Sequence, residues 1–163
     1  MHEKSKLISM LYSNKKKTSG HKLRHIIVKD LFPKINFTNS IDLFGRGAGN
    51  FIDFKSEACN PYMFQIAIEN SRKNKYFADK ILDCFITGCI PIYWGAPDIG
   101  DFFDSRGILS FETPNELVKI LNDISEEKYY SMLEFAKINF NLALEYQKPD
   151  DFFILKIKEL LNV

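Results

Sequence analysis

The residues best suited to chemistry follow an almost unbroken apolar run. Met63 to Ile68 is such a run, and Glu69, Asn70 and Ser71 come directly after it. A helical pattern follows, and a second apolar run ends at Gly95. This order predicts a strand, helix and strand unit, in which ligands bind beyond the carboxyl ends of the strands. We therefore expect the three polar residues to lie at the ligand-binding edge of a sheet.

Lys80 indicates an anionic ligand because it falls in the first turn of the predicted helix. The positive end of the helix macrodipole disfavours a cation there by ~0.3–1 kcal/mol. A diphosphate at the helix N-terminus would bind both the free N–H groups and the ammonium. From the residues alone two alternatives stay open: Lys80 is simply exposed, or the helix begins later.

Basic residues are concentrated at the start of the chain, although the net charge is only +1. Residues 1 to 30 contain eight Lys or Arg against two acidic residues, which gives +6 there and −5 in the remainder. This segment is either a solvated basic face or a positive field that attracts an anion such as a nucleotide diphosphate. Nucleic acid is a weaker candidate because the basic residues do not alternate with stacking aromatics.

The segment from Phe64 to Pro97 resembles the donor-binding signature of the family 10 glycosyltransferases, the α-1,3/4-fucosyltransferases. Weaker likeness extends from Tyr12-Ser13-Asn14 to Tyr129. The specific matches are Glu69-Asn70-Ser71, Tyr76, Asp79-Lys80 and Pro91-Ile92-Tyr93-Trp94-Gly95. The resemblance covers the C-terminal half of a family member. It implies the donor-binding domain of the two-domain GT-B arrangement, in which the N-terminal domain binds the acceptor.

The resemblance also implies which residues contact the donor. In the family, a Lys in this motif contacts the donor phosphates and an Arg on the first helix reaches the β-phosphate, and the matching positions are Lys80 and Arg24. Asn70 and Tyr76 match residues that line the nucleotide-sugar pocket. Glu69 is either a buried structural carboxylate or a direct ligand contact.

Asp79 departs from the family motif, which has Glu at this position with its carboxylate on donor sugar or ribose hydroxyls. Because Asp is one methylene shorter, that hydrogen bond would become water-bridged, or the site would favour another sugar. Fucose is therefore less firmly implied than a purine diphosphate sugar. We interpret His21 and His25, which flank Arg24, as surface residues.

The implied reaction is inverting transfer of fucose from GDP-fucose to a glycan hydroxyl, with a carboxylate general base from the acceptor domain. The first predicted strand begins at Lys6, so we expect a single donor-binding domain over residues 1–163, without the acceptor domain and its base. Lys80 and Arg24 would neutralise the departing GDP without a metal or other cofactor. Two alternatives are a catalytically silent nucleotide-sugar-binding module and a remnant that acts in protein association.

Alternating strand and helix patterns predict an α/β domain, a Rossmann-like parallel sheet with helices on both faces. Gly88 is predicted to end the helix that contains Lys80. The cluster from Gly45 to Gly49 fails the dinucleotide fingerprint because Asn50 replaces its last glycine, so a turn is favoured over contact with a phosphate. The predicted strands are 6–12, 41–44, 63–68, 90–93 and 108–111, and the predicted helices are 21–32, 78–87, 114–124, 126–146 and 151–161.

Composition indicates a globular protein with an aromatic core, since 45% of residues are hydrophobic and fifteen are Phe. Cys59, Cys84 and Cys89 lack paired metal-ligand spacing, and we expect them to be packing residues. Trp94 is either core or a wall of the donor pocket.

No stretch approaches the ~20 apolar residues of a membrane span, and no signal peptide is visible. This favours a cytoplasmic protein of bacterial or viral type, with peripheral membrane attachment left open. We expect the last predicted helix to form an apolar surface for homo-oligomer formation or for a separate acceptor-domain chain. The residues of that surface are Phe152, Phe153, Leu155 and Leu160.

Overall fold

The described residues fold around a five-stranded parallel β-sheet. The structure, a computed structural model, describes residues 2–35 and 41–146. The strands are hydrogen-bonded in the order β2-β1-β3-β4-β5, and every pair is parallel. Their bounds are β1 (Lys6–Leu11), β2 (Asp42–Phe44), β3 (Tyr62–Ile68), β4 (Ile90–Trp94) and β5 (Leu109–Ser110). The predicted α/β class and all five predicted strands are confirmed.

The predicted helices in the described ranges are present, and local capping explains where three of them begin and where a fourth ends. Side-chain oxygens of Thr18, Thr113 and Ser125 accept backbone N–H bonds at the starts of three of them. Gly88, at φ 77°, ends a fourth in the left-handed conformation, as predicted. The bounds are α1 (Ser19–Ile26), α2 (Asp79–Thr87), α3 (Pro114–Asp123) and α4 (Glu126–Glu145).

Both faces of the sheet are covered by helices, as predicted. One core joins the sheet to α3 and to the first half of α4, where Leu117 and Met132 are buried. The other core joins it to α2 and to the end of α4, where Phe85 and Ala143 are buried. Trp94 is 8% exposed and packs in the first core, so of the two alternatives for this residue the structure supports packing.

The three cysteines are buried and free. The thiols of Cys59 and Cys84 lie 3.2 and 3.1 Å from Gln65 Oε1, to which they donate. Burial raises the pKa of the Cys59 thiol to about 12, so it stays protonated and unreactive near neutral pH. Their predicted packing role is confirmed.

Among the described helices, none has the length and apolar character needed to cross a membrane. The last predicted helix, with the association surface expected at Phe152, Phe153, Leu155 and Leu160, lies outside the described residues.

A glycine allows α1 to contact the carboxyl end of β3. The backbone N–H of Gly20 donates to Asn70 O at 3.0 Å. A Cβ atom on Gly20 would lie 1.7 Å from the carbonyl oxygen of Glu69, where no side chain fits. Gly20 therefore sets how closely α1 approaches the strand end, and Arg24 follows one turn later on the same helix.

We expect Gly20→Ala to lower the free energy of unfolding by about 1–3 kcal/mol, because the methyl group forces α1 away from the main chain of β3. Gly100→Ala is the matched control, since a Cβ there meets only Ser105 Cβ, at 3.7 Å. Urea unfolding of both variants measures the difference. Equal stability of the two variants would contradict this account of how α1 is placed.

Candidate functional site: a cation-lined cleft

A cleft of about 430 Å³ opens at the carboxyl ends of β1 and β3. Residues of α1, of the segment between β2 and β3 and of the first two turns of α2 surround it. The cationic side chains that line it are Lys15, Arg24, Arg46, Lys55 and Lys80, and the carboxylates are Asp79 and Asp83. Because cations outnumber carboxylates, the cleft attracts an anionic ligand.

Arg24 is held against the end of β3. One terminal nitrogen of its guanidinium, Nη2, donates to Ile68 O at 2.6 Å and to Asn70 Oδ1 at 3.1 Å. The residue is only 7% exposed. Burial lowers the pKa of Arg24, and the Glu69 and Asp79 carboxylates act in the opposite direction. A guanidinium stays charged in proteins and has five N–H donors, so Arg24 is a fixed cation with donors left for a ligand.

Lys80 is fixed by a carboxylate that lies beneath the cleft. Glu69 is completely buried, and its Oε1 accepts a bond from the backbone N–H of Ala78 at 3.0 Å. Its Oε2 lies 3.3 Å from Lys80 Nζ, an ion pair without the angles of a hydrogen bond. Of the two alternatives for Glu69, this geometry is that of a structural carboxylate. It also offsets the cost of a lysine in the first turn of α2.

Asp79 is paired with two lysines. Lys55 forms an ion pair with its Oδ2, and Lys80 Nζ lies 3.0 Å from its Oδ1. Burial alone would raise the pKa of Asp79, but hydrogen bonds from Lys55 and Lys80 outweigh it and lower the pKa to about 2. The nearby Asp83, 3.7 Å from Lys55, has its pKa raised by burial. Asp79 is therefore a charged, bound carboxylate at neutral pH.

The cleft brings together four of the six predicted donor-binding residues: Arg24, Asn70, Asp79 and Lys80. Glu69 lies directly below them. Tyr76 lies in the loop between β3 and α2, where its backbone N–H donates to Lys73 O at 3.3 Å, and it is not among the described residues that line the cleft.

The turn predicted for the glycine cluster is present and forms part of the cleft wall. Gly45 has φ 101°, and its N–H donates to Asn50 O at 2.6 Å to close the turn. Gly47 N–H donates to Tyr12 O at 3.0 Å, which fixes the turn to the end of β1. Arg46, between the two glycines, is thereby directed to the cleft.

The prediction that both histidines of α1 are surface residues is wrong for His21. His21 is 8% exposed, and its ring caps α1 by bonding to Thr18. His25 is half-buried and bonds through Nδ1 to Tyr12 Oη at 2.6 Å. The capping role of His21 was not predicted because His at the third helical position is an unusual replacement for the Glu or Gln of a capping box.

Lys15, Lys55 and Arg46 were not singled out from the sequence as site residues. The positions of Lys15 and Arg46 could have indicated a place in the site, since each follows a predicted strand within a few residues. Lys55 carried none, because its partner Asp79 is 24 residues away and only the folded chain brings them together.

Solved structures share this fold. A crystal structure of an α1,3-fucosyltransferase with GDP superposes with a TM-score of 0.62 at 21% identity, covering 88% of this chain and 46% of that chain. A structure of an α1,3-fucosyltransferase with GDP-fucose gives a TM-score of 0.59 at 20% identity over the same shares. The fold is thus the Rossmann-like α/β domain of a GT-B glycosyltransferase.

Sequence comparison identifies the family. The model of the glycosyltransferase family 10 (fucosyltransferase) C-terminal domain matches residues 1–150. The chain therefore belongs to glycosyltransferase family 10. It is similar to alpha-(1,3)-fucosyltransferase B of Drosophila melanogaster, with 35% identity over 83 residues, which are 48% of this chain and 19% of that protein. The match thus spans about a fifth of the length of that relative.

We expect Lys55→Met to raise the pKa of Asp79 above its value of about 2, because burial is then opposed by Lys80 alone. A carboxylate with a lowered pKa stabilises the fold at pH values above its unfolded pKa of 3.8, and this contribution is lost as the pH falls through the folded pKa. In the variant the contribution is therefore smaller, and its loss is complete at a higher pH than in the wild type.

Carbon-13 NMR titration of the aspartate carboxyls measures this shift. Lys6→Met is the matched control, because Lys6 pairs with Asp42, 3.3 Å away and outside the cleft. An Asp79 pKa that is unchanged in Lys55→Met would contradict the assigned pairing. An Asp79 pKa raised by the same amount in Lys6→Met would contradict it as well.

Proposed function

We propose that this chain is a donor-binding domain that binds GDP-fucose for inverting transfer of the sugar to a glycan hydroxyl. The observation that carries the proposal is that Arg24 and Lys80, from two different helices, line one cleft. Membership of a fucosyltransferase family favours GDP-fucose over other anions of similar charge. The GDP and GDP-fucose complexes of the solved fucosyltransferases with this fold support the same choice.

In this proposal both cations bind the diphosphate, each in a different way. Arg24 uses Nη2 to hold Ile68 O and Asn70 Oδ1, and its remaining N–H groups bind phosphate oxygens as a fork. Lys80 contributes a point charge from the first turn of α2. Together they stabilise the negative charge that develops on GDP as the bond to the sugar breaks. A divalent metal or other cofactor is not required.

The sugar specificity depends on Asp79. Its carboxylate stands where the family has a longer Glu, and Lys55 and Lys80 already bind it. A donor hydroxyl that meets Asp79 must therefore share the carboxylate with two ammonium groups or reach it through water. We propose fucose as the transferred sugar because of the family, and a different GDP-linked sugar is the alternative that this substitution favours.

A second candidate function is a catalytically silent nucleotide-sugar-binding module. It is favoured by the pairing of both cleft carboxylates with Lys55, which leaves neither of them a free general base in the described cleft. In the transferase proposal that base comes from an acceptor-binding domain or a separate chain. Transfer of labelled fucose to a glycan acceptor distinguishes the two functions.

Location in the cytoplasm stays a prediction from the sequence.

We expect calorimetric titration to detect binding of GDP and GDP-fucose, with affinity lowered at least tenfold in Arg24→Lys and in Lys80→Gln. Each variant loses a charge-assisted hydrogen bond, worth roughly 1.5–3 kcal/mol. Arg24→Lys keeps the charge but lacks the fork, and Lys80→Gln keeps a donor for Glu69. GDP-mannose, titrated in parallel, measures the preference for fucose.

Lys22→Gln is the matched control, because Lys22 is an exposed cation on the same helix as Arg24. It is expected to bind GDP as the wild type does. Equal affinity in the wild type and both cleft variants would remove the site assignment, and no binding to the wild type would remove the proposed function.

A further inference from the structure

His21 occupies a position in the cleft that the proposed function does not yet use. It lies three residues before Arg24 on α1, so the two side chains are on the same face of the helix, one turn apart. Both line the cleft, and both are almost completely buried, at 8% and 7% exposure. Lys15 and Lys80 line the same cleft.

The hydrogen bonds of the ring fix where its proton is. The backbone N–H of Thr18 lies 3.3 Å from His21 Nδ1, and a backbone N–H can only donate. The Thr18 hydroxyl lies 2.8 Å from the same nitrogen and accepts the backbone N–H of His21 at 3.3 Å. Nδ1 is therefore an acceptor without a hydrogen of its own. In a neutral imidazole the hydrogen is then on Nε2.

The surroundings of the ring favour that neutral form. Burial lowers the pKa of His21, and the charges of Arg24 and Lys15 lower it further. Protonation of Nδ1 would also break its bond with the Thr18 N–H, which is one half of the capping box of α1. His21 is thus a neutral ring that presents an N–H on the far side from its cap.

That N–H has no partner in the described protein. Nε2 makes no hydrogen bond with residues 2–35 or 41–146, and it is not among the polar atoms sealed from solvent. Since His21 lines the cleft together with the cations and its Nε2 is not sealed from solvent, this nitrogen is available to a ligand there. A donor in that position suits an acceptor oxygen of an anion, and being neutral it adds no repulsion to Arg24 and Lys15.

We propose that His21 is a further ligand-binding residue, whose Nε2–H donates to a phosphate oxygen of a nucleoside diphosphate in the cleft. The inference rests on the proposed function and adds to it a contact that depends on the direction of the bond rather than on charge. Thr18 acts through His21 as a positioning residue, because its backbone N–H selects the tautomer that can donate.

Two substitutions separate the two nitrogens of the ring. His21→Asn places an amide oxygen near the position of Nδ1, where it can accept the Thr18 N–H, but has nothing near Nε2. His21→Gln is longer and places an amide N–H₂ near the position of Nε2. The first variant keeps the helix cap without the ligand contact, and the second restores the ligand contact.

GDP is the probe, and calorimetric titration and thermal unfolding are the measurements. We expect His21→Asn to weaken GDP binding roughly ten- to hundredfold, the value of a hydrogen bond to a charged group. Its unfolding temperature is expected to stay near that of the wild type, because the cap bond from the backbone N–H of residue 21 to the Thr18 hydroxyl does not involve the substituted side chain. His21→Gln is expected to recover most of the affinity for GDP.

Wild-type affinity in His21→Asn, or equal losses in His21→Asn and His21→Gln, would overturn the assignment of His21 and leave the proposed function intact. Failure of the wild-type protein to bind GDP would instead overturn the proposed function, and this inference with it.

Discussion

The buried carboxylate of Glu69 is the constraint on which the geometry of the cleft depends. It lies at the end of the central strand β3 with no exposure to solvent. One oxygen bonds the N–H of Ala78 just before α2, and the other pairs with Lys80 within that helix. Its own N–H donates to Trp94 O at 2.8 Å, at the end of β4. A single residue thus joins two strands, the start of a helix and a cleft cation.

Such a carboxylate must keep its partners, because an unpaired buried charge costs about 3–5 kcal/mol. This requirement fixes Lys80 in a place where the helix macrodipole alone would disfavour it. The residues on either side of Glu69 hold Arg24 in place, because its guanidinium donates to Ile68 O and to Asn70 Oδ1. Three consecutive residues therefore position two cations from two helices. A ligand that binds both cations is held at the end of β3.

The fold was largely predictable because its signals are local. Apolar runs predicted the strands, and Gly88 marked the end of a helix where the structure has it. The family resemblance named Lys80 and Arg24, and both line the cleft, whereas the place of Lys80 in its helix alone left two alternatives open. The ion pair with Glu69 that stabilises Lys80 in the first turn of α2 was not predicted, since the sequence left open whether Glu69 contacts the ligand or is a structural carboxylate.

What the sequence did not predict depends on contacts between distant parts of the chain. Lys55 reaches Asp79 across 24 positions, and no local pattern connects them. His21 is buried on α1, which Gly20 allows to lie against the backbone of β3. This close approach of a helix to a strand leaves no pattern in the sequence. Tyr76 matched the family motif in sequence, yet the loop that carries it places it outside the lining of the described cleft.

The central claim is that the end of β3 positions Arg24 and Lys80 to bind one diphosphate. A crystal structure of this chain with GDP tests it most directly. The account predicts phosphate oxygens within hydrogen-bond distance of both side chains, with Glu69 still bonded to the N–H of Ala78. GDP bound elsewhere on the surface, or touching only one of the two cations, would contradict it.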